Sequence, residues 1–188
     1  MPSMKLKKHV LDDLGRIKEK EYKNVLKTPI VVILDNIRSL QNVGSFFRTG
    51  DAFRIEKIVL CGITGTPPNR EIEKTALGAT KSVDFEYYAE TISAIESYKS
   101  DGWIIVSMEQ TNKSIELQTF KPKTGAKYCF IFGNEVFGVA EPVLEKSDII
   151  IEIPQFGTKH SFNVSVSAGI VLWDFYLKNK LNFFSNPS

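Results

Sequence analysis

The sequence predicts an α/β domain with a mostly parallel sheet covered by helices on both faces. Apolar, strand-like runs alternate with segments of helical periodicity along the chain, which is the pattern of such a sheet. The run IVVIL at 30–34 is continuously apolar, as a parallel strand buried on both faces is expected to be. A length of 188 residues with 43% hydrophobic content suits one compact domain.

The predicted elements follow from the apolar pattern. An amphipathic N-terminal helix is expected from the spacing of Leu6, Val10, Leu14 and Ile17. The predicted strands lie at 30–34, 57–61, 84–88, 103–108, 128–132 and 148–153. The other predicted helices lie at 43–53, 71–77 and 90–100, with a last one from about residue 165. In the helix at 43–53, the packed stripe is expected to be Phe46, Gly50 and Phe53.

Positive charge is concentrated at the N-terminal end. Residues 1–28 hold eight Lys/Arg against four Asp/Glu, whereas the remainder holds 16 against 18. We predict a basic helical arm at 1–28, the main domain at 29–180 and a loosely ordered tail at 181–188. Four cations recur at helical spacing and are expected to share one face: Arg16, Lys20, Lys23 and Lys27. This face is either a solvated helix surface or a contact to nucleic-acid phosphates.

Several classes of protein are disfavoured by what the sequence lacks. It has no run of about 18 apolar residues and no apolar stretch of a secretory signal near its first residue, so we expect a cytoplasmic protein without a membrane contact. Cys61 and Cys129 are expected to be small buried residues, and no metal site is predicted. GNEVFG lacks the Lys-Ser/Thr of a P-loop, and neither GxGxxG after the first strand nor GxSxG is present.

Loops rich in glycine and polar residues follow two of the predicted strands. In open α/β sheets, ligands bind outside the carboxyl ends of the strands. The ends at Phe132-Gly133 and Ile153-Pro154 carry more polar and glycine residues than a connection needs. We therefore expect the functional site at this edge of the sheet.

A third group of candidate residues follows the first strand, in DNIRSLQNVGSFFRTGDAF. Asn42 is either a cap of the following helix or a site residue. Arg48, two residues after Phe46, points away from the packed stripe and is either a surface arginine or a site residue. Together with the segments at 133–138 and 153–165, this group forms a three-part constellation.

The three parts resemble motifs of the SPOUT RNA methyltransferases, specifically the SpoU/TrmH branch of 2′-O-ribose methyltransferases. The similar stretches are NVGSFFRTGDAF, FGNEVFG and IPQFGTKHSFNVSVSAGIVLW, in the order and spacing of the family. PPNREIEKTALGAT is also similar, and the resemblance covers roughly residues 29–178. Phe162 stands where leucine is usual, a difference expected to alter packing rather than chemistry.

The resemblance implies a deep C-terminal trefoil knot that forms the binding site for S-adenosylmethionine. Adenine is neutral and flat, so it needs backbone donors and acceptors with an apolar slot more than charges. The residues expected to bind this cofactor are Phe132, Gly133, Asn134, Gly138, Ile153, Pro154, Gly157, Ser161 and Phe162. The three glycines are expected to permit close backbone approach and unusual dihedral angles.

The resemblance also implies a set of catalytic residues. Arg48 matches the residue that activates the ribose 2′-hydroxyl together with an RNA phosphate. Because arginine almost never loses its proton, we expect it to stabilise the developing alkoxide, and the base is left open. Ser161 and Asn163 are expected to position the ribose or hold the active loop. Glu135 is expected to order the motif loops by accepting hydrogen bonds from Arg48 or Asn42.

The last predicted helix indicates a homodimer. Its apolar residues surround it on nearly all sides, and such a helix is buried on nearly all sides. One stripe consists of Val166, Ile170, Trp173 and Leu177. The resemblance implies that two such helices pack across a two-fold axis and that each site borrows residues from the partner. A central helix of a monomer is the alternative.

The function predicted from the sequence is methyl transfer from S-adenosylmethionine to a ribose 2′-hydroxyl of a structured RNA. A tRNA is favoured as the substrate because recognition has to rest on shape and phosphates, with the basic arm of both subunits. The alternatives are a 2′-O-methyltransferase acting on rRNA, a base methyltransferase of the same fold and a non-catalytic RNA-binding module.

Overall fold

A single seven-stranded sheet forms the centre of the molecule in a computed structural model that describes residues 15 and 17–179. The strands are β1 (Thr28–Asp35), β2 (Ile55–Cys61), β3 (Asp84–Tyr88), β4 (Ile104–Met108), β5 (Ile115–Glu116), β6 (Tyr128–Phe132) and β7 (Ile149–Glu152). Their order in the sheet is β3-β2-β1-β6-β4-β7-β5, and every neighbouring pair is parallel. The predicted parallel sheet is therefore confirmed.

Six α-helices connect and flank the strands in the described part of the chain. They are α1 (Glu19–Tyr22), α2 (Leu40–Ala52), α3 (Arg70–Ala76), α4 (Thr91–Ser100), α5 (Glu141–Glu145) and α6 (Val164–Asn179). Short 3₁₀ turns lie at Ala79–Lys81 and Leu117–Thr119. Strand β5 and helix α5 were not predicted, because two and five residues are too few to show a period. No described helix is long and apolar enough to cross a membrane.

The helices cover both faces of the sheet and create two hydrophobic cores. On one face, α2, α3 and α6 bury residues such as Phe46, Ile72 and Phe175 against alternate strand residues. On the other face, α4 and α5 bury Ile95 and Val143 against the remaining set. The central strand β1 therefore has almost no exposed side chain, which explains its continuous apolar run.

The direction of the strand order reverses at β1, and this places the predicted motifs at one edge. Strand β1 pairs with β2 on one side and with β6 on the other. Leu34 is in register with Phe132, Phe132 with Met108, and Met108 with Ile151. The loops after β1, β6, β4 and β7 consequently begin side by side at the carboxyl edge, where ligands bind in open α/β sheets.

The prediction of a basic helical face is wrong in the described part of the arm. Helix α1 contains only Glu19–Tyr22, so Lys20 is helical whereas Lys23 and Lys27 follow the helix. Lys27 donates from Nζ to the Tyr22 carbonyl at 2.5 Å and lies over the Tyr22 ring, 3.2 Å from its centroid. Spacing alone therefore misassigned Lys27, which packs on the domain. Arg16, residues 1–14 and the predicted tail at 181–188 lie outside the described residues.

Candidate active site

A cleft of about 550 Å³ lies at the carboxyl edge of the sheet. It is lined by segments 108–110, 132–138, 151–153 and 160–164, with Gln155 and Ser167. These segments follow β4, β6 and β7 and lead into α6. The cleft thus lies where two of the predicted motif loops meet, and the third predicted motif lies on the neighbouring helix α2.

The loop after β6 is held in a tight turn by its own hydrogen bonds. Asn134 and Gly138 exchange backbone hydrogen bonds of 3.0 and 2.8 Å. The Asn134 side chain accepts from the N–H groups of Val136 and Phe137 and donates to the Asn36 carbonyl at 2.7 Å. Asn134 therefore fixes the turn internally and also fastens it to the loop after β1.

Two glycines are required by the geometry of this turn. A Cβ atom on Gly133 would lie 2.2 Å from backbone atoms of Gly138 and Val139, closer than any real contact. Gly138 has a φ of 68°, a left-handed conformation that glycine adopts without strain. At Gly157, in contrast, a Cβ would meet no protein atom within 4 Å, so the packing of the chain does not require a glycine there.

Glu109 supports the same turn from the neighbouring strand. It directly follows β4, and its Oε2 atom accepts a hydrogen bond of 2.9 Å from the Val139 N–H. Its Oε1 atom accepts from the Gln110 N–H at 2.9 Å. Glu109 was not among the predicted site residues, although its position directly after a predicted strand could have indicated it.

Glu135 connects the loop after β6 to the start of α2. Its carboxylate accepts from the backbone N–H groups of Arg38 and Ser39 at 2.9 and 3.0 Å and from the Asn42 amide at 2.9 Å. The expected hydrogen bond from Asn42 is present, whereas Arg48 makes none to Glu135. Burial alone would raise the pKa of Glu135, but the donors on Arg38, Asn42 and Ser39 outweigh it, so the pKa is lowered.

Asn42 and Asn163 extend this connection to the motif at 153–165. The buried Asn42 accepts from the Asn163 amide at 3.1 Å through its own side-chain oxygen. The Asn163 oxygen in turn accepts from the Ser165 N–H at 2.9 Å, in the manner of a cap on α6. Asn42 is not the cap of α2, because Ser39 accepts the capping hydrogen bond from the Asn42 N–H. One chain of side chains thus joins all three motifs.

Arg48 is one of the candidates that do not line the cleft of the described chain. It lies on α2, is exposed and is not among the residues that line the cleft. The packed stripe predicted opposite to it is confirmed, since Phe46 and Gly50 are buried and Phe53 packs on the core. The side chain of Arg48 is therefore directed outwards, away from the core of its own chain.

The other predicted residues divide by position. Those that line the cleft are Phe132, Gly133, Asn134, Glu135, Gly138, Ile153, Ser161, Phe162 and Asn163. Those that do not are Asn42, Arg48, Pro154 and Gly157.

Besides Glu109, sequence reasoning missed Asp35, a buried carboxylate that accepts from Thr91 at 2.6 Å and from the Ala140 N–H at 3.3 Å. Among the described residues, no group of His, Cys, Asp and Glu side chains could hold a metal ion.

The Glu135 hydrogen bonds predict a pH-dependent stability. Because its folded-state pKa is lowered, Glu135 stabilises the fold above its unfolded pKa of about 4.3, and this stabilisation is lost as the pH falls through the folded value. Since the carboxylate is exposed, we expect Glu135→Gln to cost about 1 kcal/mol at pH 7, or about 2–4 °C in melting temperature.

Melting curves between pH 7 and pH 3 measure this effect. The difference between wild type and Glu135→Gln is expected to become smaller as the pH falls below the unfolded pKa. Glu145→Gln, an exposed change at the end of α5, is the matched control and is expected to leave the curve unchanged. A difference for Glu135→Gln that is constant across this range would contradict the role assigned to the carboxylate.

The class of protein emerges from comparison with solved structures. An rRNA methyltransferase from Sinorhizobium meliloti has a TM-score of 0.72 and 26% identity, covering 79% of this chain and 55% of that chain. The TrmH/SpoU tRNA-modifying enzyme of A. aeolicus has a TM-score of 0.76 at 24% identity, covering 86% of this chain and 84% of its own. The fold is thus that of SpoU-type RNA methyltransferases.

The family follows from the sequence comparison. Residues 29–173 match the SpoU rRNA Methylase family, and the chain belongs to this family. It is 30% identical over 149 residues to the 23S rRNA (guanosine-2′-O-)-methyltransferase RlmB of Neisseria meningitidis, covering 79% of this chain and 58% of that protein. It is 26% identical over 168 residues to a tRNA (guanosine(18)-2′-O)-methyltransferase of Borreliella burgdorferi, covering 88% of this chain and 75% of that protein.

Proposed function

We propose that this protein transfers a methyl group from S-adenosylmethionine to a ribose 2′-hydroxyl of a structured RNA. The observation that carries the proposal is the hydrogen-bonded chain Glu135–Asn42–Asn163, which joins the three motifs beside one cleft. A module that only bound RNA would not need three motifs joined by hydrogen bonds beside one cleft. Two of the relatives, as their names state, methylate a guanosine 2′-oxygen, one in 23S rRNA and one in tRNA.

The residues of the cleft fit S-adenosylmethionine. Its volume of about 550 Å³ lies in the usual range for small-molecule sites. Phe132, Ile153 and Phe162 supply apolar surface, and the glycine turn brings backbone groups to the wall. When bound, the cofactor would supply a methyl group already activated on a sulfonium, so the residues of the chain have only to align the ribose oxygen and accept its proton.

The proposed binding is tested by calorimetry with S-adenosylhomocysteine. Saturable binding with one ligand per chain is expected. If no heat of binding is detected at millimolar ligand, the enzyme proposal fails and the RNA-binding module becomes the better account.

We propose that Arg48 acts at the cleft of a partner chain. It is exposed on α2, the helix that packs beside α6. A dimer formed through α6 would place the α2 helix of one chain near the other chain. This arrangement explains how an arginine that does not line its own cleft could stabilise the developing alkoxide.

The proposed dimer is supported by an uncovered apolar stripe on α6. Ala168, Val171 and Phe175 are buried in the core, which accounts for only one side of the helix. On the opposite side, Val166, Trp173 and Leu177 remain 51%, 53% and 55% exposed. A row of large apolar side chains at helical spacing indicates an interaction surface rather than an ordinary exposed face.

Trp173→Glu is expected to convert the dimer into a monomer, because a charge would have to be buried in the interface. Light scattering at micromolar concentration should give about twice the 21.2 kDa chain mass for the wild type and the single mass for the variant. Ile63→Glu, which changes a residue 66% exposed elsewhere, is the control and should remain dimeric. Active wild-type protein with a monomeric mass would refute the dimer.

The RNA proposal includes part of the basic arm. Lys20 and Lys23 are exposed, and Lys23 lies 3.7 Å from Asp84, the first residue of β3. The arm therefore contacts the amino edge of the sheet, about 20 Å from the cleft at the carboxyl edge, given about 3.3 Å for each strand residue. A compact folded RNA is large enough to contact the arm and the cleft together, and we propose tRNA as the substrate.

Two alternatives remain open to test. The same geometry would serve an rRNA segment, and one relative is named for that substrate. A base methyltransferase of the same fold is disfavoured because the resemblance assigns Asn42 and Arg48 to a hydroxyl group. A nucleoside digest of the methylated RNA distinguishes the ribose from the base.

We also propose that segment 153–163 completes a trefoil knot. Strand β7 is separated from β6 by β4, yet Phe175 of α6 packs on Tyr128 and Phe130 of β6. The connection has to pass back over the strand ends beside the loop at 133–138. The family resemblance implies that the chain passes through a preceding loop in this region, which would make the path a knot.

A further inference from the structure

The proposed reaction needs a group that accepts the proton of the ribose hydroxyl. Arginine is almost always protonated, so Arg48 can stabilise the oxygen but cannot take its proton. The acceptor has to come from the surface of the cleft, within hydrogen-bonding reach of the bound ribose. The inference that follows rests on the proposed function.

Four titratable side chains line the cleft in the described part of the chain: Glu109, Glu135, Glu152 and His160. The three carboxylates are already hydrogen-bond acceptors within the protein. Glu109 accepts from the Val139 and Gln110 N–H groups, and Glu135 accepts from three donors around the start of α2. Glu152 accepts from the Ser114 hydroxyl at 2.7 Å. Each carboxylate therefore already accepts a hydrogen bond that holds part of the structure together.

His160 differs from these carboxylates in its surroundings. It is exposed in the cleft, and among the described residues no hydrogen bond or ion pair involves its ring. It immediately precedes Ser161. Three residues after His160, Asn163 fixes the same segment by capping α6 and binding Asn42. The imidazole is thus a free acceptor next to the residues expected to position the ribose.

We infer that His160 is the proton acceptor of the methyl transfer. The 2′-oxygen forms its bond to the methyl carbon while the carbon–sulfur bond breaks and the sulfur keeps the bonding pair. The hydroxyl proton passes to a ring nitrogen of His160, and the resulting imidazolium releases it to water before the next turnover. No oxidant, reductant or metal is required for this balance.

The charges in the cleft favour a histidine over a carboxylate in this role. A neutral imidazole does not compete as a counter-ion for the cationic sulfonium before reaction, whereas a free carboxylate would stabilise that ground state. As the reaction proceeds, the positive charge on sulfur disappears and one appears on the imidazole, so the net charge of the site does not change.

His160→Gln tests this assignment in the full-length protein. Single-turnover rates are measured from pH 5.5 to 8.5 with labelled S-adenosylmethionine and total RNA from a strain that lacks the gene. The variant is expected to react about 100-fold more slowly or worse, with a dissociation constant for S-adenosylhomocysteine within about twofold of the wild-type value. The acid limb of the wild-type rate profile is expected to disappear.

A spectroscopic measurement and a neighbouring variant complete the experiment. The chain contains two histidines, so His160→Gln also assigns the ring resonance of His160, and its titration should coincide with the acid limb of the rate profile. Lys159→Gln, an exposed change on the same loop, is expected to leave the rate unchanged. Three results for His160→Gln would overturn the inference but not the proposed function. They are a rate within about threefold of the wild type, an acid limb that remains, and a loss of ligand binding. Wild-type protein that binds no S-adenosylhomocysteine would overturn the proposed function as well.

Discussion

Gly133→Ala is expected to weaken binding of S-adenosylhomocysteine by about 100-fold or more. The added Cβ would lie 2.2 Å from the Gly138 carbonyl carbon and the Val139 nitrogen. These are backbone atoms, so the clash cannot be relieved by a side-chain rotation, and the turn at 134–138 has to move. Overpacking of this kind costs about 1–3 kcal/mol, and a displaced wall of the cleft removes the contacts that the turn provides.

Gly157→Ala is the matched control for this change. Both glycines belong to loops assigned to the cofactor by resemblance, but a Cβ on Gly157 would have no neighbour within 4 Å. We expect Gly157→Ala to bind the ligand within about twofold of the wild-type affinity, as measured by calorimetry. Equal binding by Gly133→Ala and wild type would show that the cleft beside β6 is not the cofactor site.

Arg48→Ala is expected to lower the rate of methyl transfer by about 100- to 1,000-fold while both ligands stay bound. Removing one group that stabilises a developing negative oxygen has an effect of this size. Because Arg48 is exposed and lies outside the cleft of its own chain, the substitution should leave folding and S-adenosylhomocysteine affinity intact. Single-turnover rates and calorimetry on the same preparation separate these effects.

Two further variants sharpen the Arg48 test. Arg48→Lys keeps the charge but loses the planar fork, so an intermediate rate is expected if geometry contributes beyond charge. A dimer mixed from Arg48→Ala chains and Gly133→Ala chains has one cleft that lacks both functions and one that keeps both, if the arginine serves the partner. Recovery of activity on mixing is expected. Near wild-type turnover by Arg48→Ala would show that the catalytic centre is assigned wrongly.

The sequence predicted the sheet because its strands are buried on both faces. A run such as 30–34 has to be apolar throughout in this environment, and the structure buries it completely. The edge that carries the cleft was also predictable, since glycine and polar residues crowd the carboxyl ends of β6 and β7. After residue 28, the bounds of the helices and strands that were predicted differ by only a few residues from those observed.

Interactions between distant segments were beyond the same reasoning. The spacing predicted that Lys27 lies on a helix face. The helix ends at Tyr22, however, and Lys27 packs over the Tyr22 ring. The alternative that Asn42 caps the helix is wrong, because Ser39, three residues earlier, is the cap. Only the fold shows which of the two residues caps the helix. Glu109 is a single acidic residue, and its importance arises from a turn 30 residues further along the chain.

The most direct test of the proposed function is the identity of the methylated nucleoside. Total RNA from a strain that lacks the gene is incubated with the protein and S-adenosylmethionine carrying a deuterated methyl group, then digested to nucleosides and analysed by mass spectrometry. We predict that the label appears in a 2′-O-methylated nucleoside, from the tRNA fraction, and that Arg48→Ala removes nearly all of it. Label on a base, or none in any nucleoside, would contradict the proposed transfer to a ribose hydroxyl.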